Sequence, residues 1–402
     1  MGGQTARAQC CIAGGGPAGL MLALLLARAG VSVIVLEKHA DFLRDFRGDT
    51  IHPSTLELMS ELGVLDEFLA LPHEEFPTLR ARFGAEVVTL ADFSHLPTRC
   101  KFIAFMPQWD FLDFIASRAR TYPTFDLRMR AEVLGVRMDN GRVVGVQAVT
   151  PEGPLAVRAD LVVAADGRDS VLRRAARLSV TELGAPMDVL WFRLSRRPSD
   201  SEQPLARFDR GRIFIVVNRG AHWQCGYVIP KGTLEAIRAR GLDWFRQEIG
   251  ELLPFAADRA AEIGSWDDAK LLTVRVDRLP RWHQPGILCI GDAAHAMSPV
   301  GGVGINLAIQ DAVAAANILA APLREGRISD ALLERVQRRR QWPTRVTQRI
   351  QVLLQWSLVS RALKSGRPMR PPLLARALRR IPALRRLTAR LIGLGIRPEH
   401  LQ

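Results

Sequence analysis

Between an apolar run, Ala8–Ala13, and a stretch of helix formers, Leu20–Ala29, the chain reads Gly14-x-Gly16-x-x-Gly19. The run predicts a buried strand, Pro17 sits where a helix can begin, and Gly30 stops that helix before a second buried strand at Val31–Leu36. In this setting each glycine has its own task. The first permits the tight turn, the second lets main chain approach a pyrophosphate, and the third lets helix and strand pack closely. The unpaired N–H groups of the first helical turn, around Pro17 and Ala18, then face the phosphates. Glu37 follows the second strand, 18 residues after Gly19, where a carboxylate accepts from both hydroxyls of a ribose and repels a 2′-phosphate. The pattern predicts the adenosine end of FAD or NAD rather than NADP.

At 402 residues, 48% of them hydrophobic, the chain can build one large or two closely joined domains. The early apolar run Leu20–Ala27 is far shorter than the roughly 20 residues of a membrane span. No basic-then-apolar leader precedes it, which points to the cytoplasm. Cys10, Cys11, Cys100, Cys225 and Cys289 show no CxxC spacing and read as buried small hydrophobes. The net charge of +14 is concentrated: residues 331–402 hold 17 basic and 2 acidic side chains, leaving 38 basic and 39 acidic in the rest. That distribution removes most support for nucleic-acid binding by the body of the protein.

Along the chain, Ala131–Val136 and Val143–Ala148 flank the hairpin signal Asn140-Gly141. Leu161–Ala165 and Ile287–Ile290 are short apolar runs suited to a buried parallel sheet, and Val189–Leu194, Arg212–Val217 and Trp223–Ile229 predict antiparallel strands of a second sheet. From Ile305 the pattern is helical, and Pro343, Pro368, Pro371, Pro372 and Pro382 are expected to cut it into pieces.

Asp166-Gly167-Arg168-Asp169-Ser170-Val171-Leu172-Arg173 follows one of these apolar runs, and Gly291-Asp292-Ala293-Ala294-His295 follows another. The latter continues through Ser298-Pro299-Val300-Gly301-Gly302-Val303-Gly304-Ile305-Asn306 towards Gln310-Asp311-Ala312. With the glycine-rich turn, this order of motifs resembles the single-component FAD-dependent aromatic hydroxylases, the p-hydroxybenzoate hydroxylase-like flavoprotein monooxygenases, from about residue 8 to about 320. The resemblance implies an α/β chain with α+β elements. A Rossmann-like FAD-binding domain (1–75, 98–180, 280–330) would be interleaved with an antiparallel-sheet substrate domain (76–97, 181–279), and a basic helical region (331–402) would follow. It also implies that Asp292 bonds the ribityl chain, and that Pro299 and the backbone of Gly302, Val303, Gly304, Ile305 and Asn306 lie against the isoalloxazine. Asp166 and Gly167 would belong to a motif that serves both FAD and NAD(P)H, Gly291 would complete the FAD motifs, Gln108 would contact FAD, and Arg47, with Arg44 as the weaker second candidate, would meet its pyrophosphate. Lys38 stands beside the ribose acid.

By the same resemblance, NADPH or NADH reduces the flavin, O2 adds to give a C4a-hydroperoxide, and an aromatic or lipophilic small molecule is hydroxylated or epoxidised. No metal is implied. His222 is a candidate base, since its side chain titrates in a useful range. The alternatives are a flavin-dependent halogenase and a non-catalytic flavoprotein binding a hydrophobic ligand or membrane. The halogenase lacks support from Trp191-Phe192-Arg193 and Lys38, which do not make its usual signature. The basic tail, with Leu374–Arg380 and Leu384–Leu394, reads either as helices packed on the body or as peripheral contact with an anionic membrane. The oligomeric expectation is a monomer or homodimer.

Overall fold

The computed structural model describes residues 4–43, 50–200, 202, 205–367 and 369–402. β1 (Gln4–Ala13) is buried over its last four residues and leads through the glycine turn into α1 (Pro17–Arg28) and β2 (Val33–Leu36), which lies parallel to β1. Ten consecutive residues of α1, Ala18–Ala27, are buried, so this helix is covered on every face. Each of its fully buried leucines contributes about 1.5–3 kcal/mol of apolar burial. β3 (Gly153–Ala164) runs parallel to β1 on the other side, pairing Ala13 with Ala164. Its first half carries the hairpin 132–139/142–150, whose turn places Asn140 and Gly141 at φ 47° and 76°.

The chain then builds a second sheet. β4 (Met187–Ser195), β5 (Arg212–Asn218) and β6 (His222–Pro230) are antiparallel, with β6 in the middle. Strands 270–272, 206–209, 78–83 and 86–92 extend it on either side. One face, through Trp223, Cys225 and Tyr227, packs on Phe245 and Ile249 of the helix 242–252. The opposite face, through Val189, Trp191 and Val228, packs towards Val300 and Leu358. β7 (Ile287–Cys289) returns to the first sheet and lies parallel to β3, giving the order 283–284, β7, β3, β1, β2, 125–128. A mixed α/β fold with a Rossmann-like parallel sheet follows, in line with the sequence.

α2 (Gly304–Arg324) crosses behind this sheet against α1, and α3 (Asp330–Leu354) packs on α2. Val300–Arg324 is long and apolar enough to cross a membrane, and its apolar 18-residue window is 72% buried in the fold. α3 continues through a π-helical turn, Gln355–Val359, to Lys364; α4 (Leu373–Arg380) and α5 (Pro382–Gly393) then pack on the strand 86–92.

Pro371, Pro372 and Pro382 mark the helix breaks, and Pro368 lies outside the described residues. Pro343 does not break its helix: α3 runs straight through it. The reason is tertiary. Gln337 and Gln341 before the proline, and Gln348 and Gln351 after it, bond the same segment of chain, 277–300, and hold the helix across the missing N–H. All five cysteines are free and buried, and burial pushes the Cys11 thiol up to about 12.

Candidate active site

The glycine turn shows three separate constraints. Gly14 has φ +103°, and a Cβ on it would stand 2.4 Å from the Ala165 carbonyl oxygen, where β1 and β3 end side by side. A Cβ on Gly19 would meet the Gly14 carbonyl oxygen at 2.0 Å, so only glycine lets α1 close on the turn. At Gly16 a Cβ would meet nothing within 4 Å. Gly16 is also the N-cap of α1, with no side chain capping the helix and Pro17 following. The first two glycines are therefore demanded by the protein's own packing, and the third leaves room at a helix N-terminus for an anion. Glu37 is buried; its Oε2 accepts from Gly15 N at 2.9 Å and its Oε1 from His39 N at 3.0 Å. Its carboxylate thus braces the turn from the end of β2, while Lys38 beside it is exposed. Arg44 and Arg47 lie outside the described residues.

The other two motifs converge on this turn from β3 and β7. Gly167 takes φ +81° directly after Asp166, whose Oδ2 accepts from Leu172 N at 3.1 Å. The other carboxylate oxygen of Asp166 is buried and has no partner among the described residues. Gly291, at φ +58°, sits so close to Ala18 and Ala308 that a Cβ would meet theirs at 3.1 and 3.2 Å. That contact brings the start of α1, the Gly291-Asp292 turn and α2 together. The Asp292 side chain is one-third exposed and lies 3.4 Å from Arg168 Nη2, so its oxygens remain accessible.

Before α2, Gly301 and Gly302 take φ +83° and +63°, forming a turn that an ordinary residue resists. Thr50 Oγ1 donates to Gly302 O at 2.8 Å. Asn306 is buried and spends its side chain on the neighbouring segment: Oδ1 accepts from His52 N (2.9 Å) and Thr55 Oγ1 (2.7 Å), and Nδ2 donates to Thr50 O (3.1 Å). Gln108 begins the helix 108–119, just after the strand 103–105 that pairs with Thr50–Ile51. Val303, Gly304 and Ile305 open α2, and Pro299 precedes the turn; all four are partly exposed.

His222 starts β6 opposite Ser195, half-buried, and burial together with Arg193 and Arg219 lowers its pKa. It is neutral at pH 7 and flanked by cations. Gln224 and Gly226 share its face of the strand, and Gly226 supports the flat of the Trp191 ring, to which a Cβ would stand 3.0 Å away.

Sequence reasoning missed two sets of residues. The first is a fully buried polar node. Asp311 on α2 accepts from Gly291 N (3.1 Å), meets His295 Nε2 at 2.5 Å and accepts from Arg340 Nε (3.0 Å). Arg340 also donates to Arg397 O and to Glu399 Oε1, tying α3 and the last described residues to the Gly291 turn. Burial would raise the Asp311 carboxyl, but His295 and Arg340 outweigh it and hold it below the ordinary range. The second set is the glutamines of α3 described above, at 337, 341, 348 and 351, with Gln355 at the start of the π-helical turn. Their three-, four- and seven-residue spacing was the available signal, obscured by the arginines among them.

The empty surroundings of Gly16, the partnerless Asp166 oxygen and the close-packed Gly14, Gly19 and Gly291 fit an extended FAD with its pyrophosphate at α1. Comparison with known proteins identifies the family. The family described as FAD binding domain matches residues 7–350. The 6-methylpretetramide 4-monooxygenase of Streptomyces rimosus is 32% identical over 390 residues, covering 96% of this chain and 92% of that one. The rifampicin monooxygenase of Rhodococcus hoagii is 29% identical over 315 residues; the match covers 75% of this chain and 61% of that relative's length. Among solved structures, p-nitrophenol 4-monooxygenase from Pseudomonas putida DLL-E4 shares the fold with a TM-score of 0.75 at 22% identity, covering 98% and 100% of the two chains. The chain belongs to the FAD-binding-domain family and is an FAD-dependent monooxygenase that uses NAD(P)H and O2.

Proposed function

We propose that the chain oxygenates an extended aromatic molecule held between the second sheet and the turn Pro299–Gly302. The observation that carries this reading is the apolar cluster in which Trp191 and Val228 of the sheet meet Val300 of the turn and Leu358 of the π-helical segment. An indole lying flat over Gly226 offers a face on which an aromatic ring can stack. The tetracycline-type and rifampicin relatives act on large aromatic compounds, which supports the same class here.

In this reading the FAD-binding domain comprises 1–75, 98–180 and 280–330, the substrate domain 76–97 and 181–279, and a helical region follows. Gly14, Gly16, Pro17, Ala18 and Gly19 receive the pyrophosphate at the N-terminus of α1, and Glu37 the ribose. Asp292 takes the ribityl hydroxyls, with Asp166 and Gly167 beside it. The main chain from Gly302 to Asn306 offers N–H groups to the ring at the start of α2. Bound FAD supplies electron transfer from NAD(P)H and activation of O2. The protein's own part is to keep water from the slot and to fix the substrate on Trp191. His222, neutral at pH 7, accepts a proton from a substrate hydroxyl, and Arg193 and Arg219 favour the resulting anion. The test is a panel of mono- and polycyclic phenols. An acceptor accelerates NAD(P)H oxidation and gains one oxygen by mass, and Trp191→Ala abolishes that acceleration while FAD stays bound. Acceleration unaffected by the substitution would remove the sheet face from the site.

A second reading concerns where the protein works. Trp342, Leu353 and Trp356 project from one face of α3 and its continuation, more than half exposed, among Arg338, Arg345 and Arg349. A second copy docked on this face would set arginine against arginine, so an anionic lipid surface is the favoured partner and the monomer the favoured state. Sedimentation with phosphatidylglycerol vesicles, lost in Trp342→Ser/Trp356→Ser, is the expected outcome. Equal sedimentation of the double variant would end the idea.

A further inference from the structure

We propose that Gln351 and Gln355 are positioning residues for the flavin, holding the turn Ser298–Gly302 in place from α3. This rests on the reading that the ring lies against residues 299–306.

Within itself the turn makes one main-chain bond, Gly302 N to Pro299 O at 3.1 Å. It contains two successive left-handed glycines, Gly301 and Gly302, and belongs to no strand. Thr50 Oγ1 caps its far end at Gly302 O, and at its near end one side chain takes three main-chain groups. Gln351 Oε1 accepts from Ser298 N (3.2 Å), and Gln351 Nε2 donates to Ser298 O (3.0 Å) and Val300 O (2.9 Å). An amide is the only side chain that reproduces the donor and acceptor pair of a neighbouring strand. Gln355 Nε2 donates to Ser298 Oγ, which accepts in turn from Val300 N at 3.2 Å. Both glutamines are buried. Burying such a group without these bonds costs about 1–3 kcal/mol, so the turn and the helix face are matched to each other.

The helix also changes register at this point. The π-helical turn starts at Gln355 and delivers Leu358 and Val359 into the cluster with Trp191. A π turn costs backbone regularity and is found mostly at functional sites. Here it lets one element bond the flavin turn through Gln355 and touch the substrate face three residues later. Gln355 Oε1 is buried without a partner among the described residues.

The experiment uses the full chain loaded with FAD and reads the visible circular dichroism and midpoint potential of the bound flavin. Gln351→Leu should keep FAD bound at its pyrophosphate end, alter the flavin dichroism and lower the potential. A tenfold loss in relative binding of reduced flavin reads as about 30 mV. Gln355→Met, a milder change, should shift both in the same direction by less, and serves if Gln351→Leu does not fold. Gln337→Leu breaks similar bonds to Trp282 N and Pro280 O, away from the turn, and should lower stability with the flavin signals unchanged. Pro299→Ala reports on the turn directly. If Pro299→Ala moves the flavin signals and neither glutamine variant does, the glutamines are merely structural and the proposal is overturned. If Pro299→Ala also leaves them unmoved, the placement of the ring is wrong and the proposal falls with it.

Discussion

Two consecutive helices pack against the same cofactor motifs by opposite means. α2 buries Leu307, Ile309, Ala312, Val313 and Ala315, and its contact with α1 and the Gly291 turn is one of small apolar surfaces at close range. α3 buries Gln337, Arg340, Thr344, Gln348 and Gln351 and turns Trp342 and Leu353 outward. Its inner face satisfies main-chain groups of residues 277–300, a stretch that is strand only at 277–278, 283–284 and 287–289. A regular partner can be packed with hydrocarbon. An irregular one presents unpaired carbonyls and N–H groups, and only side chains with donors and acceptors can cover it without the desolvation penalty.

The comparison predicts unequal costs. Arg340→Ala takes the guanidinium from the buried Asp311 carboxylate, leaves Glu399 to Arg339 alone, and should lower stability by about 3–5 kcal/mol in chemical denaturation. A loss under 1 kcal/mol would mean that the node does not join the two helices. The next effect is a pH dependence where the two systems meet. His52 donates its N–H to Asn306 of α2 and holds Ile392 O, beyond α3, with its ring. Burial lowers its pKa to about 4, with the bond to Ile392 partly opposing. Between pH 6.5 and 4 the unfolded chain therefore binds a proton that the folded chain refuses, and stability falls as pH falls. The loss approaches roughly 3 kcal/mol and is complete below pH 4. His52→Gln should remove this slope when unfolding is compared at pH 7 and pH 4.5.

Smaller effects separate the helix faces. Ala315→Leu overfills α2 and should cost about 1–3 kcal/mol. Gln348→Leu would be harmless in an apolar core; here it strands the carbonyls of Asp277 and Ala296 and should cost about 1–3 kcal/mol. On the outer face, Trp342→Ser should change the unfolding midpoint by no more than about 0.5 kcal/mol equivalent. If Gln348→Leu stabilised and Trp342→Ser destabilised, α3 would be an ordinary amphipathic helix.

The glycine turn was legible because its requirements are local: Gly14, Gly16 and Gly19 lie within six residues, and each is tied to a neighbour in the same unit. The motifs at Asp166 and Gly291 were legible by their order along the chain. The role of α3 was not. Summing charge over residues 331–402 merged its two faces into one basic tail and set it apart from the cofactor site. Its glutamines bond main chain 51 to 71 residues earlier, and main-chain partners leave no mark on residue identity. Pro343 misled for the same reason, since the bonds that carry the helix past it lie elsewhere in the sequence. At Asn306 the motif speaks for the main chain only, and the side chain points to Thr50, His52 and Thr55.

The sheet order has a consequence for synthesis. β1 leaves the ribosome first, yet one of its two parallel partners is completed only at residue 164, and β7 arrives more than a hundred residues later. Gln9 bonds Leu323, and the Gly291 turn waits for Arg340 to neutralise Asp311. A nascent chain thus carries an apolar parallel strand with an open edge for most of its translation. Parallel pairing of this span is slow and exposes aggregation-prone surface. With the ring against residues 299–306, as proposed, flavin capture would follow the emergence of α3. Slower translation at low temperature, with FAD available at that late stage, should therefore raise the soluble yield more than added FAD alone.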